Sequence, residues 1–510
     1  MSIMSKLPAE CLNEIFEYLE DDKFTLYSCL LVNRLWCGIS VRMLWRNVRN
    51  YRTLIACLPK VSKDILYNNG IIVSPPTSKN PLFNYITFVK NISIYRIDNI
   101  IKIILHENQK SISIPHIKFI VAQEIFKSLM NQITSLKGLY FDSYKRLDIY
   151  NAIFISYPGA EICLKYLSKL NCHSSIYSEF FYQLSLICHN IQTLKIRFDN
   201  VISKGLMDLI SVQQNLKYLG IILSYECENL LDIIPSLKNL PNTLIKLDFS
   251  GGNHIISLSF IAKLKNLQKL ILSFDYNHSI EDFTKLQYVS FPQLQVLKFD
   301  YAYPRHELLI KFLEVNGKSL KEFYIGNNDN SLNLAIAKSC PNLRKLFTIF
   351  RKDELETFKM ILNNCQYLES IEVWCGNDYL DERKLFDIIA KYSHKNFFEL
   401  KLYYVIFTKS KLSKEELEDF FINWSNRTSR KPLSMIFFFH DSNSYNENNE
   451  NMEIIEKNLL NLLKTNVNGQ QYVMEKKYHL KNTNNLKKKI LECFMCHRRR
   501  FTNSIALVRR

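Results

Sequence analysis

From Val89 onward, apolar positions recur in one short phrase: an apolar residue, two free positions, an apolar residue, one free position, and a third apolar residue. Asn or Pro-Asn usually stands in front. The phrase reads NIQTLKI from Asn190, NLKYLGI from Asn215, NTLIKLDF from Asn242, NLQKLIL from Asn266 and PQLQVLKF from Pro292. It continues as SLKEFYI from Ser319, PNLRKLF from Pro341, QYLESIEV from Gln366, NFFELKL from Asn396 and PLSMIFF from Pro432. The first apolar positions fall at 191, 216, 244, 267, 294, 320, 343, 368, 397 and 433, so most steps are 23 to 29 residues. Weaker copies start at Val89, Leu136 and Leu167. Alternation inside each phrase predicts a short strand with one buried face. Helical patterns fill the gaps at Leu332 to Cys340, Leu355 to Cys365, Lys384 to Tyr392 and Glu415 to Trp424, the last opened by a capping box from Ser413 to Glu416. One strand and one helix every ~25 residues predicts a stacked repeat array.

The residues before this array have a different rhythm. Between Leu7 and Val48 the pattern predicts three short helices. Pro8 suits a first helical turn. Leu12, Ile15, Phe16 and Leu19 then form one apolar stripe at i, i+3, i+4 and i+7. A second helix is read through Leu30, Leu31, Val32, Leu35 and Trp36, whose apolar residues cover more than one face, and a third carries Val41, Leu44 and Trp45. So small a unit has no room to bury all of the second helix's apolar residues, which leaves a surface over. A connecting stretch, 49–81, holds a helical piece from Tyr51 to Leu66 and ends in the proline-rich SPPTSKNP from Ser74 to Pro81. At the other end, 441–474 opens Asn- and Glu-rich from Ser442, reads as a loop, and carries a capping helix from Ile454 to Leu463. Residues 475–510 read as a disordered basic tail.

The order Leu7-Pro8, then Ile15-Phe16, Leu19, a Leu-rich helix ending Val32-Asn33-Arg34-Leu35-Trp36, and Leu44-Trp45 closely resembles the F-box. Cys11 and Cys29 stand where that family usually carries other small or aliphatic residues. The phrase IAKSCPNLRKL, Ile336 to Leu346, resembles the cysteine-containing leucine-rich repeats found behind F-boxes, and the Asn-, Ile- and Lys-rich composition is similar to that of large fungal F-box families. The expected fold is therefore a small all-α F-box over 1–48 followed by an α/β leucine-rich-repeat solenoid, a horseshoe, over 82–440. The alternative is an unrelated α/β domain with coincidental NLxxL phrases.

The resemblance implies a substrate-recognition subunit of an SCF-type ubiquitin ligase. Its F-box would dock on a Skp-type adaptor, and through it on cullin and RING subunits, using Leu7, Pro8, Leu12, Ile15, Phe16, Leu19, Val32 and Trp36. A target protein would lie on the array. If the strand register is as read, Tyr324, Phe347, Ile349, Trp374 and Tyr403 face outward beside Lys345, Glu372 and Lys401, and exposed aromatics ringed by charge suit protein binding. A register shifted by one residue sends the same side chains into the core.

Composition narrows the function further. The chain has 510 residues, 47% hydrophobic, with only 12 glycines, which argues against dinucleotide and phosphate-loop enzymes. Phe312 stands where a phosphate loop ending Gly317-Lys318-Ser319 would need its first glycine. No nucleophile elbow, zinc-protease helix or kinase signature is present, so a non-catalytic protein without cofactor or metal is expected. Thirteen cysteines fit reduced thiols in cytoplasm or nucleus, and neither a signal peptide nor a membrane span is read. Cys493, Cys496 and His497 have CxxCH spacing, but a zinc site needs more ligands, His479 being a remote one. Of the net charge of +17, nine units fall in 475–510, with KKK at 487–489 and RRR at 498–500. That tail is the basis for an alternative: a nucleic-acid-binding protein, or a non-degradative scaffold.

Overall fold

The structure is a computed structural model that describes residues 8–48, 50–72, 81–108, 115–141, 153–199, 203–224, 237–251, 257–274, 280–327, 329–404, 413–425, 433–439 and 473–478. It divides into two compact units, Met1–Leu320 and Lys321–Arg510.

The first unit begins with α1 (Ala9–Glu17), α2 (Lys23–Cys29) and α3 (Arg34–Leu44). Asp22 caps α2 by accepting a hydrogen bond from the Thr25 amide at 3.1 Å. Here the expected second helix is corrected. It stops at Cys29, and Leu30 to Val32 form a turn. Asn33 is extended and its side chain accepts from the Trp36 amide at 3.0 Å, so Leu35 and Trp36 open the next helix. An Asn able to satisfy an orphan N–H wins over continuing the apolar run.

The connecting stretch is also helical: α4 (Tyr51–Ala56) and α5 (Lys60–Asn68), separated by Pro59, which cannot continue α4 but fits the start of α5. The proline-rich stretch from Ser74 to Pro81 lies outside the described residues except for Pro81.

The first unit's sheet then follows: β1 (Asn91–Ser93), β2 (Gly138–Tyr140), β3 (Lys169–His173), β4 (Thr193–Phe198), β5 (Tyr218–Leu223), β6 (Lys246–Gly251), β7 (Lys269–Phe274) and β8 (Val296–Tyr301). Each pairs in parallel with the next. Two helices not foreseen from the repeat phrase, α6 (Ile94–Glu107) and α7 (Pro115–Gln132), join β1 to β2.

The second unit repeats the plan with β9 (Glu322–Tyr324), β10 (Lys345–Phe347), β11 (Ser370–Cys375), β12 (Glu399–Tyr404), β13 (Ser434–Phe439) and β14 (Val473–Tyr478), again parallel neighbours. Helices Asn330–Ser339, Leu355–Asn364, Glu382–Tyr392 and Lys414–Ser425 alternate with these strands. The expected capping box is present, with the Ser413 and Glu416 amides donating to each other's side chains at 3.0 and 3.3 Å. β14 was not read from the sequence: residues 475–478, taken as the start of the basic tail, are strand. The expected loop from Ser442 and capping helix from Ile454 lie outside the described residues, as do 479–510 with both basic clusters, Cys493, Cys496 and His497.

The repeats are stitched at their helix ends. Cys188 and Cys365, both buried, donate their thiols to the carbonyls of Leu164 and Cys340, one repeat back, at 3.2 and 3.3 Å. Gln213 and Asn316 do the same work with amides: Gln213 accepts from the Ile191 N–H and donates to the Cys188 carbonyl, at 2.8 and 2.7 Å. Asn316 accepts from the Phe291 N–H and donates to the Val289 carbonyl, at 2.7 and 2.9 Å. A buried loop backbone needs such partners, because water is excluded there.

A polar knot lies under β10. Buried Asn333 donates to the Ile349 carbonyl and to Glu354 Oε2, each at 2.9 Å, and accepts from the Thr348 hydroxyl at 2.9 Å. Burial pushes the Glu354 carboxyl above its ordinary pKa. Asn333→Leu leaves three buried groups without their partner, and a urea melt should show a loss of about 3 kcal/mol or more. Asn333→Gln, which keeps the amide, should recover part of it.

Candidate binding surfaces

The N-terminal helices have a closed core. Leu12, Phe16, Leu26, Cys29, Ile39, Met43 and Leu44 are buried, with Leu19, Leu30, Trp36 and Trp45 packed against them. Phe16 and Trp36 meet edge to face at 5.3 Å between ring centroids.

One end of this unit is committed to the sheet. Trp45 packs on Tyr85, with ring centroids 4.5 Å apart, rather than closing the helical bundle alone. The Arg46 carbonyl accepts from the amides of Lys90 and Asn91 at 2.8 and 2.9 Å, and Asn47 bridges Asn91 in parallel. Arg96 donates to the Val48 carbonyl at 3.0 Å. The helices thus extend the edge of β1, which would otherwise present unpaired backbone.

Arg46 also pairs with Glu17, and with Glu20 at 3.3 Å. The hydrogen bond from Arg46 holds the Glu17 carboxyl below its ordinary pKa, against a smaller opposing effect of burial. A lowered acid contributes stability above its unfolded pKa and loses it as pH falls through the folded value. Thermal melts should therefore show native protein losing more than Glu17→Gln as pH drops from about 4.5 downward, by a small margin because Glu17 is half exposed.

Other apolar residues of the domain are uncovered. Tyr18, Phe24 and Leu31 are 90%, 88% and 89% exposed, and Ile15, Tyr27, Val32 and Leu35 are exposed as well. Phe24 and Tyr27 stand at i and i+3 on α2, and Leu31, Val32 and Leu35 follow in its exit turn and at the start of α3. Of the residues expected to touch an adaptor, Pro8, Ile15 and Val32 are at the surface, while Leu19 and Trp36 are partly buried. Leu12 and Phe16 lie inside the core, where a stripe of four apolar residues must send its centre in so small a bundle, so their side chains are not available to a partner. Leu7 lies outside the described residues. Sequence reasoning passed over Tyr18, Phe24, Tyr27, Leu31 and Leu35; the surplus of apolar residues in the second helix was the signal for the last two.

Residues 4–51 match the family model described as F-box-like. This N-terminal helical segment is an F-box-like domain. Behind this F-box-like domain stands the parallel α/β array of the leucine-rich-repeat kind described above. Similar solved structures are a leucine-rich repeat-containing protein of Legionella pneumophila (14% identity, 60% of this chain and 95% of that one, TM-score 0.32) and the Rad7 and Elc1 complex in yeast (13%, 87% and 97%, 0.35). A leucine-rich-repeat protein of Leptospira interrogans is a third (14%, 67% and 90%, 0.27). Scores this low add nothing to what the strand pairing shows. No curated protein matches the chain.

In the second unit, strand pairing fixes which residues share a face. Phe323, Leu346, Ile371, Val373, Leu400 and Leu402 are buried, and the alternate positions, apart from buried Ser370, are half-buried on the open face. There Phe347 stands opposite Tyr324 and Glu372, Glu372 opposite Lys401, and Trp374 opposite Tyr403. Trp374 and Tyr403 stack at 5.8 Å, and Phe347 meets Tyr403 at the same distance. Lys401 pairs with Glu372 at 2.8 Å and Glu399 at 3.2 Å, and Tyr403 donates to Glu372 at 3.0 Å. Lys345 pairs with Glu322 at 3.2 Å, and half-buried Ile349 follows β10. Burial, and then Glu372, pushes the Tyr403 hydroxyl well above the ordinary tyrosine range. These rings hold one another in place.

Among the described residues, no cluster of His, Cys, Asp and Glu is arranged to hold a metal ion, and no helix is long and apolar enough to cross a membrane.

Proposed function

We propose that this chain is a non-catalytic substrate-recognition subunit of a cullin-RING ubiquitin ligase. The F-box-like domain docks on a Skp-type adaptor through its exposed apolar residues, and the array holds a target protein. The observation that carries this reading is the set of exposed apolar residues Phe24, Tyr27, Leu31, Val32 and Leu35 on a domain that matches the F-box-like family and is anchored to its own sheet through Arg46 and Asn47. An apolar surface of this kind is costly in water unless a partner covers it. Cullin and RING subunits follow through the adaptor, and the work done is to bring target and ubiquitin-charged enzyme together, with no reactive side chain supplied here.

The target surface we assign to the second unit's open face, with Tyr324, Phe347, Ile349, Trp374 and Tyr403 as apolar anchors and Lys345, Glu372 and Lys401 as the charged rim. The cytoplasm or nucleus suits such a protein. The test is co-purification of a Skp-type adaptor with tagged full-length chain. Leu7→Ala with Pro8→Ala should lower the yield of adaptor at unchanged protein level, and an unchanged yield contradicts the docking assignment.

A further inference from the structure

The first unit's open face differs in chemistry from the second unit's. Its strand register sets Lys169, Thr193, Tyr218, Lys246 and Lys269 in one row across β3 to β7, with Lys195 one step along β4. Lys246 and Lys269 are direct neighbours, so two like charges face each other across about 4.8 Å of sheet, an arrangement that costs stability unless an anion is near. Among the described residues, neither Lys195, Lys246 nor Lys269 makes an ion pair. Of the carboxylates on this face, Asp248 stands beside the lysines and accepts from the Tyr218 hydroxyl at 3.4 Å, while Asp199 pairs with Arg197 at 3.4 Å and Asp300 with Lys298 at 3.2 Å.

The cations are also held in place. The Lys246 ammonium lies 4.0 Å from the Tyr218 ring centroid and that of Lys195 lies 5.6 Å from it. Gly220 makes this possible: a Cβ there would come within 3.1 Å of the Lys195 stem and 3.2 Å of the Tyr218 hydroxyl. The Lys246 ammonium sits below its ordinary pKa, first through burial and then through Lys269 and Lys195, against the pull of Asp248. Positive charge from three lysines is thus concentrated on an aromatic platform, with Asp248 the one carboxylate that acts on Lys246.

We infer that the patch formed by Lys195, Tyr218, Lys246 and Lys269 binds an extended, carboxylate-rich segment of a protein partner. The three lysines span β4 to β7, about 14 Å at ~4.8 Å per strand, and alternate side chains of an extended chain recur every ~6.6 Å, so two or three carboxylates reach them together. Lysines act as point charges, which suits separate carboxylates; phosphate is better served by an arginine fork, and Arg197 is already paired with Asp199.

This deepens the receptor reading by naming the chemistry of one bound segment, and rests on that reading for its biological sense. The test is fluorescence anisotropy with full-length chain and a short labelled peptide rich in Asp and Glu. A charge-reversed Lys peptide, a phosphoserine peptide without Asp or Glu, and a single-stranded oligonucleotide are the other arms. The acidic peptide should bind tightest, weaken with salt, and lose about tenfold in affinity in Lys246→Gln with Lys269→Gln. Tyr218→Leu, which keeps the apolar bulk, should cost about threefold. Equal binding by the lysine variant, or tighter binding of the phosphopeptide or the oligonucleotide, overturns the proposal. Adaptor capture on the same samples reports the receptor reading separately, since these lysines are not in the F-box-like domain.

Discussion

Leu31→Ser with Leu35→Ser should lower affinity for a Skp-type adaptor about a hundredfold while leaving the melting curve of the chain almost unchanged. Both residues are at the surface, Leu31 almost fully, so serine removes little from the core of the F-box-like domain. In the complex each would be covered, and truncating a covered apolar anchor costs about 1.5 to 2 kcal/mol, near tenfold or more per residue. The turn that presents Leu31 is fixed by Asn33, whose cap keeps Leu30 to Val32 out of helix. The double variant therefore separates docking from folding, which substitutions at Leu12 or Phe16 cannot do.

Phe16→Ala should act in the opposite way. Phe16 is buried, packs edge to face on Trp36, and stands beside Leu12 in the core. Removing a buried Phe costs about 3–5 kcal/mol, the transfer of the ring plus the cavity it leaves. A seven-residue buried core has little else to close that gap. The expected result is early unfolding of the F-box-like domain, read as a separate low-temperature step in a thermal melt. Adaptor binding should be lost with it. Because the Arg46 carbonyl and Asn47 continue the edge of β1, amides of Lys90 and Asn91 should also exchange faster in this variant.

The repeat phrase was a good guide to strands because it states a physical requirement. In β1 to β12 the strand starts two residues after the first apolar position of the phrase, as at 191 and Thr193, or 343 and Lys345. That first residue turns the chain into the core and the next two apolar residues are the strand's buried face, so spacing and register come together. β14 carries no such phrase, since VMEKKY has charge where its neighbours have apolar residues, and periodicity was blind to it. Helices α6 and α7 were missed for a related reason: they interrupt the array with a helical pair, and a search keyed to the strand phrase passes over them.

The candidate surfaces were legible to different degrees. Alternation along β9 to β12 was enough to place Tyr324, Phe347, Trp374 and Tyr403 on one face, because a strand offers two sides and the leucines claim one. The F-box-like surface was harder. A stripe at i, i+3, i+4 and i+7 says which residues share a helix face, but not which of them a neighbouring helix covers, and Leu12 and Phe16 proved to be the covered pair while Ile15 is exposed. The Tyr218 patch lies in the free positions of the repeat phrases: its lysines come from three strands, Lys246 standing 51 residues after Lys195 and Lys269 a further 23, and the strand register brings them together.

The central claim is that the exposed apolar residues of the F-box-like domain form an adaptor-docking surface. Titration calorimetry of a purified Skp-type adaptor into the full-length chain tests it most directly. The account predicts a one-to-one complex whose affinity falls about a hundredfold in the Leu31→Ser, Leu35→Ser variant at unchanged thermal stability. No binding by the native chain, or equal binding by the variant, would contradict it.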